Sequence, residues 1–83
     1  MKFKVGDMVT VRGWEEMAEK FPCDENGNLD FKHTVFSKYM KKLCGKVAIV
    51  ENVDEPFYKI RPMAVEDMEL DWEWNFTDDM LKG

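Results

Sequence analysis

Gly45-Lys46-Val47-Ala48-Ile49-Val50-Glu51-Asn52-Val53 is the stretch whose reading decides the fold. β-Branched side chains dominate it, a glycine precedes it, and the turn signal Asp54-Glu55-Pro56 follows it. Alternation along a strand puts Val47, Ile49 and Glu51 on one face and Ala48 and Val50 on the other. A strand apolar on both faces is normally covered on both, which suits the centre of a small closed or nearly closed barrel. Just past the turn, Phe57-Tyr58-Lys59-Ile60-Arg61 reads as its hairpin partner. Tyr58 and Ile60 share a face there, Phe57 takes the opposite one, and Pro62 ends the strand.

Working outward, Val5-Gly6-Asp7 reads as a turn that leads into the alternating strand Met8-Val9-Thr10-Val11-Arg12. Gly6 supplies backbone freedom that its neighbours lack, and Asp7 can bond nearby amides. Trp14 to Lys20 has the spacing of two helical turns, with Trp14, Met17, Ala18 and Phe21 on one side. Phe21-Pro22 stops that helix. A polar loop with an Asn26-Gly27 turn follows, then a short extended piece at Leu29-Asp30-Phe31. From Thr34 to Leu43 the pattern is helical, with Thr34 as N-cap and Val35, Phe36, Tyr39, Met40 and Leu43 on one face. Lys41 and Lys42 lie in its last turn, and Gly45 is its stop. Near the other end, Asp71-Trp72-Glu73-Trp74-Asn75-Phe76 alternates polar with aromatic. Thr77-Asp78-Asp79-Met80-Leu81 reads as a single helical turn capped by Thr77.

Composition bounds the function. At 83 residues the chain is one domain, 1–83, and 45 % hydrophobic content is ample for a folded core despite 35 % charged residues. The net charge of −5 argues against a general nucleic-acid binder, whose footprint is basic. That charge is unevenly spread. Residues 1–50 carry nine Lys or Arg against seven Asp or Glu, whereas residues 51–83 carry three against ten. Lys32, Lys38, Lys41, Lys42 and Lys46 form a basic stripe free of acids, and residues 66–79 hold seven acids and no base. No apolar run is long enough for a membrane span. The opening Met1-Lys2-Phe3-Lys4 does not read as an export signal, so a cytoplasmic location with Cys23 and Cys44 reduced is the expectation.

Catalytic and metal chemistry find little support. Asp24-Glu25-Asn26-Gly27-Asn28-Leu29 resembles the middle of an EF-hand loop, but Pro22 and His33 would stand where the two end ligands belong. Cys23, His33 and Cys44 lack the paired short spacing of a zinc site. Neither cysteine has a setting that favours the thiolate: Cys44 sits at a helix end and Cys23 in an acidic loop. The expectation is a non-enzyme with no catalytic residue, no metal and no cofactor. Aromatic side chains are numerous for so short a chain, and those left outside the core mark an interaction patch. Trp14, Phe57 and Trp72 are the candidates for contact with a protein partner.

A family pattern runs through these segments. It comprises Phe3-Lys4-Val5-Gly6-Asp7-Met8-Val9-Thr10-Val11-Arg12, the middle from Met40 to Ile49 with Gly45-Lys46, Tyr58-Lys59-Ile60, and the closing Trp74-Asn75-Phe76-Thr77-Asp78-Asp79-Met80-Leu81. In these residues the chain resembles small proteins of phages and prophages of Gram-positive bacteria. The resemblance implies a mainly β fold: an SH3-like barrel of about five strands with one or two short inserted helices and a C-terminal helical turn. Its members mostly lack an assigned activity, and the segment from Trp14 to Phe31 has no counterpart in the pattern. The expected function is a non-enzymatic module that engages a protein partner. The alternative is a nucleic-acid-linked role, as an acidic DNA mimic or as a weak binder through the Lys32–Lys46 stripe.

Overall fold

The computed structural model describes residues 2–31, 34–63 and 74–83, so Lys32, His33 and Trp72 lie outside the described residues. The order of elements is β1 (Met8–Val11), α1 (Trp14–Ala18), β2 (Leu29–Asp30), β3 (Val35–Phe36), a 3-10 helix (Lys38–Leu43), β4 (Val47–Asp54), β5 (Phe57–Pro62), a 3-10 turn (Asp78–Met80) and β6 (Leu81–Lys82). Four strands form an antiparallel sheet in the order β5-β4-β1-β6, and β2 pairs with β3 in a separate two-stranded sheet. The fold is mainly β with a few short helices. Among the described residues the strands do not close into a barrel. β5 and β6 stand at opposite edges of the larger sheet, with only an isolated Tyr58–Phe76 bridge beyond β5.

β4 is central, as its sequence demands, with β1 on one edge and β5 on the other. Its two faces are not equally covered. Ala48 and Val50 are fully buried, whereas Val47 is 40 % exposed and Ile49 only half-buried. An open sheet can cover one face completely and leave the other part wet, and this one does. The register with β5 slips at Glu51: Val50 faces Ile60, then Asn52 faces Lys59 and Val53 faces Tyr58. That bulge reverses the parity of the strand. Without it Asn52 and Asp54 would follow Val50 toward the core. With it Val53 packs against the core, and Glu51 pairs with Arg61 at 3.0 Å.

The helix expected from Thr34 to Leu43 starts later and is wound more tightly. Val35 and Phe36 are extended and pair with β2, so Thr34 caps nothing. Ser37 is the N-cap. Its hydroxyl accepts from the Tyr39 amide at 3.1 Å, and its own amide donates to Met40 Sδ at 3.3 Å. Near the C-terminus the 3-10 turn also departs from expectation, because the Thr77 side chain makes no cap hydrogen bond. Its hydroxyl is buried with no partner among the described residues. At the other end of the chain Asp7 acts as anticipated: it accepts from the Lys4 amide at 3.0 Å, and Gly6 has φ +93°. Among the described residues no helix is long and apolar enough to cross a membrane.

The core joins Val9, Val11, Ala48, Val50, Tyr58 and Ile60 of the larger sheet to Met17, Leu29, Phe36, Met40 and Leu43 from the elements packed against it. Burying each large side chain contributes about 1.5–3 kcal/mol, so this cluster carries most of the drive to fold. Within it Tyr58 is fully buried, and its hydroxyl is saturated. The oxygen accepts from the amides of Lys2 and Phe3, each at 3.0 Å, and the hydroxyl donates to Asp78 Oδ1. One side chain thus ties β5 to the N-terminal segment and to the last 3-10 turn.

Burial first, and the bond to Asp78 second, push the Tyr58 hydroxyl above its ordinary pKa of 10.0. Folding therefore favours the protonated form. Its contribution is complete below pH 10.0 and is lost as the pH rises through the higher folded-state value. Tyr58→Phe leaves two amides and a carboxylate without their partner and should cost about 1–3 kcal/mol in urea melts near neutral pH. The fall in wild-type stability above pH 10 should be smaller in the variant, and an unchanged alkaline slope would refute the assignment.

Candidate functional site

Among the described residues the 3-10 helix Lys38–Leu43 builds a basic and aromatic surface. With three residues per turn, positions three apart eclipse one another and the helix has three rows. One row, Met40 and Leu43, is buried. A second holds Lys38 and Lys41, and a third Tyr39 and Lys42. All four of these are exposed, Tyr39 at 69 %. An α-helical reading places Tyr39 on the inner face beside Phe36, Met40 and Leu43. The tighter winding turns it outward.

Two half-buried tryptophans receive the lysines. Lys41 Nζ lies 4.8 Å from the centre of the Trp14 ring, and Lys42 Nζ lies 5.7 Å from that of Trp74. Lys38 Nζ is 5.5 Å from the Tyr39 ring. Each contact is worth about 0.5–1 kcal/mol at an exposed position, enough to orient an ammonium group without immobilising it. Trp14 is held from below by Phe36, centroids 6.0 Å apart, because α1 sets it against the core. Trp74 is fixed through its carbonyl, which accepts from Lys59 Nζ at 3.2 Å. The polar loop before β2 supports the start of the helix. Asp24 Oδ1 accepts from the amides of Asn26 and Asn28, and Asn28 Oδ1 accepts from the Lys38 amide at 2.9 Å.

Lys38, Lys41 and Lys42 make no ion pair with a described carboxylate. The ion pairs among the described residues lie elsewhere: Arg12 and Lys82 on Glu16, and Arg61 on Glu51. Glu16 is held below the ordinary carboxylate range chiefly by its hydrogen bond from Arg12. Lys46 is exposed just past the helix and continues the basic stripe.

The sequence-derived candidates are thus partly united. Trp14, Lys38, Lys41 and Lys42 come together, and Trp74 and Tyr39 join them. Trp14 is half-buried and braced by the core rather than free on the surface. Phe57 stands apart at the start of β5, half-buried opposite Asp54, with no ring contact to another described aromatic. Lys32 and Trp72 fall outside the described residues. The signal that would have found Tyr39 is the Ser37 cap, since starting the helix there shortens it to two tight turns.

Other features offer less chemistry. A depression of about 180 Å³ is lined by Phe31, Pro56, Thr77, Asp78 and Asp79. That falls below the roughly 300–1,000 Å³ of ordinary ligand pockets. Among the described residues no three His, Cys, Asp or Glu side chains gather to hold a metal. Both cysteines are free, Cys23 exposed and Cys44 half-buried. Burial pushes the Cys44 thiol up, against a smaller opposing effect of the Trp14 backbone and Lys41. Comparisons with protein-family models, curated proteins and solved structures give no match.

The thiol settings predict unequal reactivity, since the thiolate is the reactive form and needs access. Iodoacetamide under native conditions should label Cys23 many times faster than Cys44, with both labelled readily in denaturant. Equal native rates by peptide mass spectrometry would contradict the partial burial of Cys44 against the core.

Proposed function

We propose that this chain is a small non-enzymatic binding module that engages a protein partner through the face built on residues 38–42. The observation that carries the reading is the isolation of Tyr39 and its neighbouring lysines. A large aromatic side chain stands 69 % exposed on a two-turn helix, among ammonium groups that no described carboxylate neutralises. Aromatic anchors surrounded by polar groups are what interface centres are made of. In this reading the module is of the SH3-like type, phage- or prophage-encoded and cytoplasmic. The Val5-Gly6-Asp7 turn and the strand that follows support the likeness, as does the central antiparallel β4.

A nucleic-acid-linked role is the second reading, favoured by the row of Lys38, Lys41, Lys42 and Lys46. Two facts weigh against its direct-binding form. The net charge is −5, and the tryptophan faces needed for base stacking already carry lysine ammonium groups.

Tyr39→Ala should leave stability within about 0.5 kcal/mol of wild type, as exposed substitutions do. It should weaken partner binding by about tenfold or more. A photo-crosslinking residue at position 39 should trap a defined host protein, whereas one at exposed Val5 should not. Identical adducts from both positions, or none from position 39, would remove this face as the binding site.

A further inference from the structure

Resting on that binding reading, we infer that the segment docked on this face is acidic: an extended peptide stretch of a partner protein with carboxylates at alternate positions. Three observations lead there. The first is charge complementarity. Lys38, Lys41 and Lys42 project from two adjacent rows of one short helix, and no described carboxylate forms an ion pair with any of them.

The second is spacing. A 3-10 helix rises about 2.0 Å per residue, so Lys38 and Lys41 are about 6 Å apart along their row. Alternate side chains of an extended strand lie about 6.6 Å apart on one face, a near match to that row. The backbone spacing of the two lysines thus matches that of alternate side chains on a strand, and their flexible four-carbon stems bring the ammonium groups to two carboxylates of an extended segment.

The third is the state of the aromatic rings. Lys41 already stands over Trp14 and Lys42 over Trp74, at 4.8 and 5.7 Å. A nucleobase would have to displace an ammonium group to stack on either ring. A carboxylate has no such conflict. An ammonium has three donors, so it can face the ring on one side and accept a carboxylate on the other. The arrangement then becomes ring, cation and anion in series, while Tyr39, whose ring carries Lys38 Nζ at 5.5 Å, offers the rest of its exposed surface to an apolar side chain between the acids.

The test uses the full chain, labelled with nitrogen-15, and three probes of similar length. These are a peptide alternating glutamate with leucine, the same peptide with glutamine replacing glutamate, and single-stranded oligothymidine. Only the glutamate peptide should saturate, with shifts concentrated at residues 37–43 and in the indole signals of Trp14 and Trp74. Its affinity should fall several-fold between low and physiological salt. The triple variant Lys38→Gln, Lys41→Gln, Lys42→Gln should abolish those shifts while its melting transition is retained. Equal binding by the glutamine peptide would overturn the inference. So would tighter binding by the oligonucleotide, shifts that map elsewhere, or a triple variant that binds as wild type does. If the glutamate peptide fails while position 39 still crosslinks to a host protein, the acidic occupant is wrong and the binding face stands. If position 39 traps nothing, the binding reading itself falls.

Discussion

Both edges of β4 carry backbone hydrogen bonds, and the larger sheet takes its position from that ladder. Met8, Val9 and Thr10 of β1 face Ile49, Ala48 and Val47, while β5 runs down the other side from Pro62 to Phe57. The turn ahead of β1 is stitched to the same strand, since the Gly6 amide donates to Val50 and the Val50 amide donates to Asp7, each at 2.9 Å. In a ladder paired on both sides, slipping by one residue would carry every side chain to the other face. The protein uses one such shift by design of its sequence. The bulge at Glu51 exchanges Asn52 for Val53 on the core side, just where Tyr58 needs an apolar neighbour.

That ladder reaches the candidate site through a short path. The Gly45 amide donates to Val11 at 2.8 Å and the Val11 amide donates to Lys46 at 2.9 Å, so the chain leaving the 3-10 helix is fastened to β1 before β4 begins. Gly45, with φ +80°, makes the bend that a side-chain-bearing residue would resist. At its other end the helix is tied by Ser37 and by Asn28. A helix of six residues has little intrinsic stability and depends on such ties and on the buried pair Met40 and Leu43. These ties order the backbone from which Tyr39 projects, and in the proposed binding a backbone already ordered loses less freedom.

Much of this was legible in the sequence. The β-branched run, the turn at Asp54-Glu55-Pro56 and the partner strand identify the hairpin. Val5-Gly6-Asp7 identifies the first strand, and the mainly β class follows. What escaped has physical causes. Closure into a barrel is a property of long-range pairing, which alternation within single strands does not encode. The parity switch at Glu51 depends on which of two registers buries more apolar surface, and Asn52 with Val53 looks innocuous until Tyr58 is placed opposite. In residues 34–43, apolar side chains at 35, 36, 39, 40 and 43 satisfy an α-helix. Val35 and Phe36 are instead claimed by pairing with Leu29 and Asp30, a contact the local pattern cannot reveal. Once those two are removed, six residues remain, wound as a 3-10 helix from the Ser37 cap, and Tyr39 changes sides.

The acidic balance of the whole chain and the basic character of this one face are compatible because they act over different distances. At physiological ionic strength charges separated by more than about 8 Å are largely screened. An approaching acidic segment therefore gains little steering from a molecule of net charge −5, and association gets no electrostatic acceleration. At contact the local ammonium groups dominate, and their attraction is short-ranged and modest for each pair. Charge alone then cannot hold a partner. Tyr39, in the row beside that of Lys38 and Lys41, has to supply the apolar anchor, while Trp14 and Trp74 hold the Lys41 and Lys42 ammonium groups over their rings. Selectivity on such a face comes from the coincidence of an apolar side chain and flanking carboxylates in one short segment, which neither a bare polyanion nor a purely hydrophobic peptide provides.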